Sequence, residues 1–223
     1  MGGYSVGIAT RQRIYEESKR LFYEKGVKAT SYTDICAAAE VNRGLIPYHF
    51  KSKSGIAIEV LVEFVGNMER AVTRWLEPYE TVQPERNIAI ELLMFRMLAG
   101  NVNACRFYSE IHADDAYREK SLDIQADVMS AFAQGSGVEV SPQALNTVTA
   151  MVEGTETELV RLVHTGLLQE SIDDMVRRDV ACCYFLLGAD IDQVRAWCDR
   201  AYELAEGYTM TCNERFECVV IEA

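Results

Sequence analysis

The chain has 223 residues, of which 49% are hydrophobic and 25% charged, and its formal net charge is −12. This composition is ordinary for a globular protein, and no stretch approaches the roughly 18 consecutive apolar residues of a membrane helix, so we predict no membrane span. The first residues, MGGYSVGIATRQR, lack the apolar run of a secretory signal. Seven cysteines without regular spacing favour a reducing, cytoplasmic location over a disulfide framework.

Charge is divided unevenly along the chain. Residues 1–60 carry a net charge of +3, whereas the remainder carries −15. A basic segment can meet nucleic-acid phosphates even in an acidic protein, because the local field decides which surface approaches them. The first 60 residues are therefore the place to look for a nucleic-acid site.

Three short helices are predicted in that basic segment. The first helix covers about Thr10–Lys25. Ser31 and Asp34 have the spacing of a capping box, which opens a second helix. Asn42 is a suitable N-cap for a third helix of barely two turns, Arg43–His49. Two small helices joined by a tight turn follow the helix-turn-helix plan, in which the second of the pair reads base edges.

These residues also carry a family resemblance. The run from Thr10 to Gly55 resembles the DNA-binding domain of TetR/AcrR-type repressors, through an RxxIxxxAxxLFxxKG-like first helix, TDI, AxVNRGLI and YHFKSK. The resemblance implies an all-α protein, with an N-terminal helix-turn-helix domain at residues 1–55 and a larger helical domain at 56–223. That second domain is expected to bind an effector and to dimerise.

Two positions depart from the family pattern. Glu40 stands at a turn position usually held by Gly, so a left-handed conformation there costs roughly 1 kcal/mol more than for Gly. Pro47 stands where the family usually has an aromatic residue. With Asn42 as the N-cap, Pro47 falls beyond the first turn and removes a helical hydrogen bond. We predict a shortened or kinked recognition helix, with the phosphate contact passing to Tyr48.

Roles in DNA binding can be assigned to residues in and beside the third helix. Asn42 and Arg43 are expected to read base edges, Gly44 to allow close backbone approach, and Leu45 to touch a thymine methyl. Phosphate contacts are expected from the following residues: Ser31, Thr33, Tyr48, His49 and Lys53. Two alternatives remain open, that the basic residues form a solvated face and that Tyr48 or His49 packs internally.

The rest of the chain has helical spacing, little strand alternation and four prolines. Predicted helices cover Ser54–Glu77, Glu85–Gly100 and Ser121–Gln134, one begins after the Ser141 cap, one runs from Ser171 to Gly188, and one begins at Asp190. Residues 103–118 are predicted to be less regular, and the tail from residue 209 has no assigned structure. The Glu85–Gly100 helix is apolar on most sides and should be central.

The late helices carry more apolar surface than one chain of this size needs. We predict that this surplus forms a homodimer interface, a four-helix bundle with two helices from each subunit. Cys182 and Cys183 are interpreted as two core positions of a buried helix, with a redox sensor as the alternative.

An effector pocket in the second domain is implied by the resemblance. Methionine and aromatic side chains suit a deformable apolar cavity. The candidates are Phe64, Met68, Met94, Phe95, Met97, Phe107, Tyr108, His112, Met129 and Met151. Each of them is equally consistent with plain core packing. The acidic domain favours a neutral or cationic effector over an anion.

Catalytic and metal motifs give little signal. Glu110, His112, Asp114 and Asp115 form the one cluster suggestive of metal, and we interpret it as a surface acidic patch. We find no nucleophile elbow, P-loop, Rossmann glycine pattern or zinc-type spacing, so we predict no enzyme, no metal and no cofactor.

Together with these observations, the resemblance implies a cytoplasmic, homodimeric transcriptional repressor, and the mechanism that follows is what the resemblance implies. Two copies of the third helix would enter successive major grooves about 34 Å apart and read a palindromic operator. A small-molecule effector would release the protein from DNA by favouring a form with the wrong spacing. One alternative is a regulator whose second domain only dimerises. Another is a helical binding protein or enzyme that keeps a degraded helix-turn-helix with impaired DNA binding.

Overall fold

The computed structural model describes the backbone of residues 2–223 and the side chains of residues 7–223. Residue 1, where the predicted domain 1–55 begins, lies outside this description. Within it, ten helices precede a two-stranded antiparallel sheet. The helices are α1 Gly2–Lys25, α2 Tyr32–Ala39, α3 Leu45–Phe50, α4 Lys53–Leu76, α5 Gln83–Gly100, α6 Val102–His112, α7 Asp115–Gly135, α8 Pro142–Thr165, α9 Ile172–Leu187 and α10 Ile191–Leu204, and the strands are β1 Tyr208–Cys212 and β2 Cys218–Glu222.

The predicted helical fold is confirmed, and side-chain caps explain where many helices start. The hydroxyls of Ser31, Ser52, Ser141 and Ser171 each accept a hydrogen bond from a backbone N–H three residues later, and Asp190 caps α10 in the same manner. Such caps satisfy N–H groups that have no partner within the helix. The caps at 31, 141, 171 and 190 are the ones that the sequence analysis used.

The region expected to be irregular is helical instead. Residues 102–112 form α6, and α7 starts at Asp115 rather than at Ser121, so the predicted boundaries there are wrong. The cause is Asp114, whose carboxylate accepts a hydrogen bond from the N–H of Ala116 at 2.9 Å and opens the new helix. Because aromatic and polar residues alternate irregularly in this segment, the helical spacing of its apolar residues was not recognisable from the sequence.

Helix α5 lies at the centre of the molecule, as predicted. It packs against α4, α9, α10 and β1, and its buried side chains include Leu92, Leu93 and Phe95. No single helix within residues 2–223 is both long enough and apolar enough to cross a membrane. Helices α5 and α6 reach that composition only when they are joined, and they are bent by 112° at the break between them.

The tail without assigned structure folds back as a β-hairpin, formed by β1, β2 and the turn between them; we call it the C-terminal clasp. Its turn inserts Phe216 into the core, where its ring centroid lies 5.5 Å from that of Tyr23, 4.9 Å from Phe64 and 4.5 Å from Phe107. The side-chain amide of Asn67 donates to the Phe216 carbonyl at 2.9 Å. The clasp thus joins α1, α4 and α6.

Helices α8 and α9 are joined by a short connection and pack against each other, which makes them antiparallel neighbours. Met151 and Phe185 lie at similar distances along their helices from that connection, and they are 50% and 65% exposed. Cys182, one turn from Phe185, is exposed as well, while Cys183 is buried. The interpretation of both cysteines as core is therefore wrong for Cys182. We call Met151, Cys182 and Phe185 the α8–α9 face.

Glu40 adopts the left-handed conformation expected for the turn, with φ 51° and ψ 49°. Its side chain is exposed, so the backbone dominates the energetics there. We expect Glu40→Gly to raise the free energy of unfolding by about 1 kcal/mol, because glycine has no Cβ to clash in this region. Urea unfolding at fixed protein concentration measures this. Glu40→Ala keeps a Cβ and should give no comparable gain; an equal gain would assign the effect to the charge.

Candidate functional site

The helix-turn-helix is formed by α2, α3 and the turn between them. Both hydrogen bonds of the capping box are formed. The N–H of Asp34 donates to the Ser31 hydroxyl at 3.1 Å, and the N–H of Ser31 donates to the Asp34 carboxylate at 2.7 Å. That pairing, with help from the Lys25 ammonium, lowers the pKa of Asp34 to about 2. Ile35 and Ala39 are buried and fix α2 against the core.

The residues predicted to read bases lie on the surface. Asn42, Arg43 and Gly44 are exposed, and the Arg43 guanidinium lies 5.5 Å from the centre of the Tyr32 ring, a cation–π distance. Leu45 is partly buried. The Arg43 side chain is therefore supported by a neighbour while its donors remain open to solvent.

The third helix starts later than predicted, and this changes the position of Pro47. Residues 42–44 form a turn in which the N–H of Leu45 donates to the Asn42 carbonyl at 3.0 Å, and α3 begins at Leu45. Asn42 is consequently not its N-cap. Pro47 lies in the first turn, where a missing N–H costs nothing within the helix. The helix is short, as predicted, but the argument for a Pro47 kink is wrong.

The predicted phosphate-binding residues differ in their exposure and in whether their polar groups already have hydrogen-bond partners. Tyr48 is 79% exposed, and its ring lies edge-on to that of His49 with centroids 4.9 Å apart. Thr33 is exposed beside the start of α2. Lys53 is held, because its ammonium donates to the carbonyls of Val27 and Thr30, each at 2.7 Å. The structure thus leaves the Tyr48 hydroxyl open and uses the Lys53 ammonium to tie α4 to the end of α1.

A cavity of about 140 Å³ lies in the second region of the chain, between α4, α5, α7, α8 and α9. Of the ten side chains predicted to line a pocket, four do so: Met68, Met94, Tyr108 and Met129. Phe64, Phe95, Met97, Phe107 and His112 are buried in the core outside its lining, and Met151 lies on the surface. Further lining residues include Phe132, Tyr184, Glu91, Glu156 and Asp179.

Four carboxylates line this cavity, and none of them was in the predicted set. Glu69 on α4 is exposed, whereas the other three are partly buried. Glu91 comes from α5, Glu156 from α8 and Asp179 from α9. The Tyr108 hydroxyl donates to Glu156 at 2.6 Å. Glu91 and Asp179 have no hydrogen-bond or ion-pair partner among the described residues. We call these three residues the carboxylate cluster.

Burial perturbs the proton affinity of every member of the cluster. Burial, followed by the charges of Glu156 and Asp179, raises the pKa of Glu91 well above its ordinary value. Burial likewise raises the pKa of Glu156, against the opposing effect of the Tyr108 hydrogen bond. Burial and the charge of Glu156 raise the pKa of Asp179 to about 7. Each shift reflects a low-dielectric site without a basic partner.

A signal for these residues was present in the sequence. Glu91 interrupts ERNIAIELLMFRMLAG, a helix that is apolar on most sides, and Asp179 precedes the apolar run VACCYFLL. A lone carboxylate within a helix predicted to be buried must face a partner, a ligand or a cavity, because burying its charge alone costs several kcal/mol. That the three lie together depends on the packing of α5, α8 and α9, which sequence spacing does not reveal.

The predicted acidic patch is dispersed in the structure. Glu110 accepts the Lys28 N–H and Asp114 caps α7, while His112 is buried. His112 instead meets Glu153 and Glu156, with one potential ligand atom from each within 4.8 Å of the others. A divalent cation could use that trio. His112 Nδ1 lies 2.9 Å from the Tyr108 carbonyl, and burial lowers the pKa of His112.

Helix α6 connects the cavity to the helix-turn-helix region. Tyr108 on this helix lines the cavity. Further along the same helix, Glu110 accepts the Lys28 N–H at 2.8 Å, and beyond its end Asp114 accepts from the Ser54 hydroxyl at 2.9 Å. Lys28 follows α1 and Ser54 lies in the first turn of α4. A displacement of α6 would therefore act directly on Lys28, after α1, and on Ser54, in α4, both of which border the helix-turn-helix.

Comparison with known proteins agrees with the observed architecture. Residues 14–60 match the family model described as bacterial regulatory proteins, tetR family. The HTH-type transcriptional repressor DhaR of a Mycobacterium species is 36% identical over 78 residues, which cover 35% of this chain and 39% of DhaR. The HTH-type transcriptional regulator TtgR of Pseudomonas putida is 33% identical over 123 residues, 55% of this chain and 58% of TtgR.

The matches with these curated relatives span less than two thirds of the relatives' own length. Similarity over a longer stretch is found in the fold. The crystal structure of RolR in complex with resorcinol aligns with a TM-score of 0.60 at 15% identity, covering 88% of this chain and 96% of RolR. At that identity the likeness concerns the arrangement of helices.

Proposed function

Because the chain belongs to the TetR/AcrR-type family of DNA-binding transcriptional regulators, we propose that it acts as a homodimeric repressor that a small molecule releases from a palindromic operator. The observation that supports this most directly is the exposed turn before α3, where Asn42, Arg43 and Gly44 are open to solvent within a basic segment. In this proposal residues 1–55 bind DNA and residues 56–223 bind the effector and dimerise.

The proposed DNA contacts follow from exposure. Arg43 would pair with a guanine edge and Asn42 with an adenine, while Tyr48, Thr33 and the start of α2 would meet phosphates. Lys53 would contribute positive potential near the backbone, since its ammonium already binds two carbonyls. Base reading would thus come from a turn and one short helix.

We place the proposed dimer interface on the α8–α9 face. Its exposed apolar side chains form part of two neighbouring antiparallel helices, so a second copy related by twofold symmetry would complete a four-helix bundle. Burial of Phe185 and Met151 in the partner would remove apolar surface from water. Two DNA-reading units would then be held at a fixed separation.

Release by ligand would pass through α6. A ligand that engages Glu156 competes with the hydrogen bond from Tyr108, and movement of Tyr108 shifts the helix that holds Lys28 and Ser54 through Glu110 and Asp114. The ligand changes operator affinity only by the difference in its own affinity for the two forms. A preference of about 100-fold would weaken DNA binding by the same factor.

Selection from random duplex DNA tests the proposal. We expect the wild-type protein to enrich a palindrome, with an affinity that falls as salt rises. Arg43→Ala should lose about 1–3 kcal/mol of discrimination at one base pair in each half-site. Arg195→Ala removes another exposed arginine, on α10, and should leave the selected sequence unchanged. Failure of folded wild-type dimer to enrich any sequence would reject the repressor proposal.

A further inference from the structure

The carboxylate cluster poses an energetic problem that the protein alone does not solve. Glu91, Glu156 and Asp179 converge on one cavity from three helices, and none of the cavity-lining residues that the structure describes is lysine, arginine or histidine. His112, behind the lining, lies 4.0 Å from Glu156 but is itself buried. Burying charges of one sign without a counter-charge is costly, so such a cluster is complete only when a proton or a cation joins it.

The position of Glu91 points to a ligand rather than to a structural ion pair. Glu91 is partly buried, lines the cavity, and has no polar partner among the described residues. Glu156 offers a second carboxylate, already oriented by the Tyr108 hydroxyl at 2.6 Å. Asp179 adds a third from the opposite helix. The three carboxylates thus line the cavity and form no hydrogen bonds with one another.

The remaining wall fits an apolar body attached to that charge. Met68, Met94 and Met129 supply polarizable, adaptable side chains, and Phe132 and Tyr184 are stacked with their ring centroids 5.7 Å apart. Aromatic faces attract cations as well as apolar groups. The volume of about 140 Å³ is close to that of an engineered apolar cavity, about 150 Å³, that holds benzene.

We infer that this cavity binds a small hydrophobic organic cation, an amine or quaternary ammonium attached to about one aromatic ring, with the positive charge held by Glu91, Glu156 and Asp179. The inference deepens the proposed function, because the cation would be the effector. Cation binding requires no DNA, so the inference about the ligand and the proposal of operator binding can fail separately. A divalent metal on His112, Glu153 and Glu156 is the competing occupant, and it would displace the organic cation from Glu156.

The test compares two probes of one shape. Phenyltrimethylammonium and tert-butylbenzene differ by a nitrogen cation in place of a carbon. We expect the ammonium to bind the full-length protein saturably by calorimetry at pH 8. It should bind at least about tenfold more tightly than tert-butylbenzene, whose affinity is obtained by competition, because the carboxylates and aromatic faces attract the ammonium charge but not the neutral isostere. Benzoate should not compete. Equal affinity for the isostere, preference for benzoate, or no binding of the ammonium would overturn the inference.

Variants assign the binding to the cluster. Glu91→Gln and Asp179→Asn should each weaken phenyltrimethylammonium binding by about tenfold, because each removes one negative charge that attracts the ammonium. Both replace a partly buried, unpartnered carboxylate by a neutral group of similar size, so they should fold, which thermal unfolding verifies. Glu158→Gln removes an exposed carboxylate from α8 outside the cavity and should leave the affinity unchanged. Equal weakening by Glu158→Gln would reduce the effect to general electrostatics and overturn the inference.

Two further measurements separate the remaining outcomes. Titration with Mn²⁺ and Zn²⁺ alone tests the competing occupant. Tight metal binding that Glu153→Gln abolishes, together with no saturable ammonium binding to the metal-free protein, would assign the cavity to a metal and reject the organic cation. Operator release is measured on DNA: ammonium binding without release would reject its role as effector, while absence of operator binding would reject the proposed function and leave cation binding standing.

Discussion

A Phe185→Asp variant should be a folded monomer that no longer holds a palindromic duplex with the wild-type affinity. Phe185 is 65% exposed, so the change removes little packing within the subunit. In the proposed dimer the same residue would be buried in both copies, and the substitution would place two carboxylates in an apolar interface. We expect the dissociation constant of the dimer to rise by at least about 100-fold, the loss typical of an aromatic residue central to an interface.

Sedimentation analysis over a range of concentrations gives the oligomeric state, and mobility shift on the selected duplex gives the DNA affinity. Val102→Asp is the matched control, since Val102 is 69% exposed but lies at the start of α6, outside the α8–α9 face. That variant should remain dimeric. A Phe185→Asp protein that sediments as a dimer and binds the palindrome normally would show that subunits associate through another surface.

The second large effect concerns pH and stability. Asp179, on α9, faces Glu91 on α5, Glu156 on α8 and Cys183 on its own helix, and burial raises its pKa from 3.8 to about 7. Between these values the folded form keeps a proton that the unfolded chain releases. The free energy of unfolding therefore falls as pH rises from about 4 to about 7, and then levels off for this group. The pKa values of Glu91 and Glu156 are raised as well, so these two groups also lower the free energy of unfolding as pH rises.

Asp179→Asn should flatten that pH dependence and make the protein more stable than wild type at pH 8, by an amount on the order of 3 kcal/mol. Urea unfolding at pH 4.5, 6, 7 and 8, with the protein concentration held constant, measures both slopes. Glu158→Gln, whose carboxylate pairs with Arg161 on the surface, should retain the wild-type slope. A wild-type protein that gains stability between pH 5 and 8 would contradict the burial of an uncompensated cluster.

The helix-turn-helix could be found from sequence because its determinants are local. The capping box at Ser31 and Asp34, and the turn at Glu40, are set by residues within one helical turn of each other. The start of α3 was predicted two residues too early, at Arg43 instead of Leu45. Asn42 is an acceptable cap on its own chemistry, and only the turn formed through its carbonyl shows that the helix begins at Leu45. That shift of register reversed the consequence expected for Pro47.

The cavity between the helices was only partly predictable, for a different reason. Helical spacing identifies Met68, Met94 and Met129 as inward-facing, but it does not distinguish cavity lining from solid core, since both are apolar and buried. The carboxylate cluster depends on contacts between α5, α8 and α9 over long separations in the chain. The C-terminal clasp has the same origin, because it is stabilised by packing of Phe216 against three helices rather than by its own strand pattern.

The clasp also bears on how regulators of this shape can be recombined. Through Phe216 a single aromatic core runs from Tyr23 in α1 to Phe107 in α6, crossing the predicted boundary near residue 55. A chimera that keeps residues 1–55 and takes the remainder from another chain would inherit one side of that core without its complement. The unit of exchange is therefore the helix-turn-helix segment together with the hairpin and the face of α6 that it meets, so the predicted domains 1–55 and 56–223 are less separable than a two-domain plan suggests.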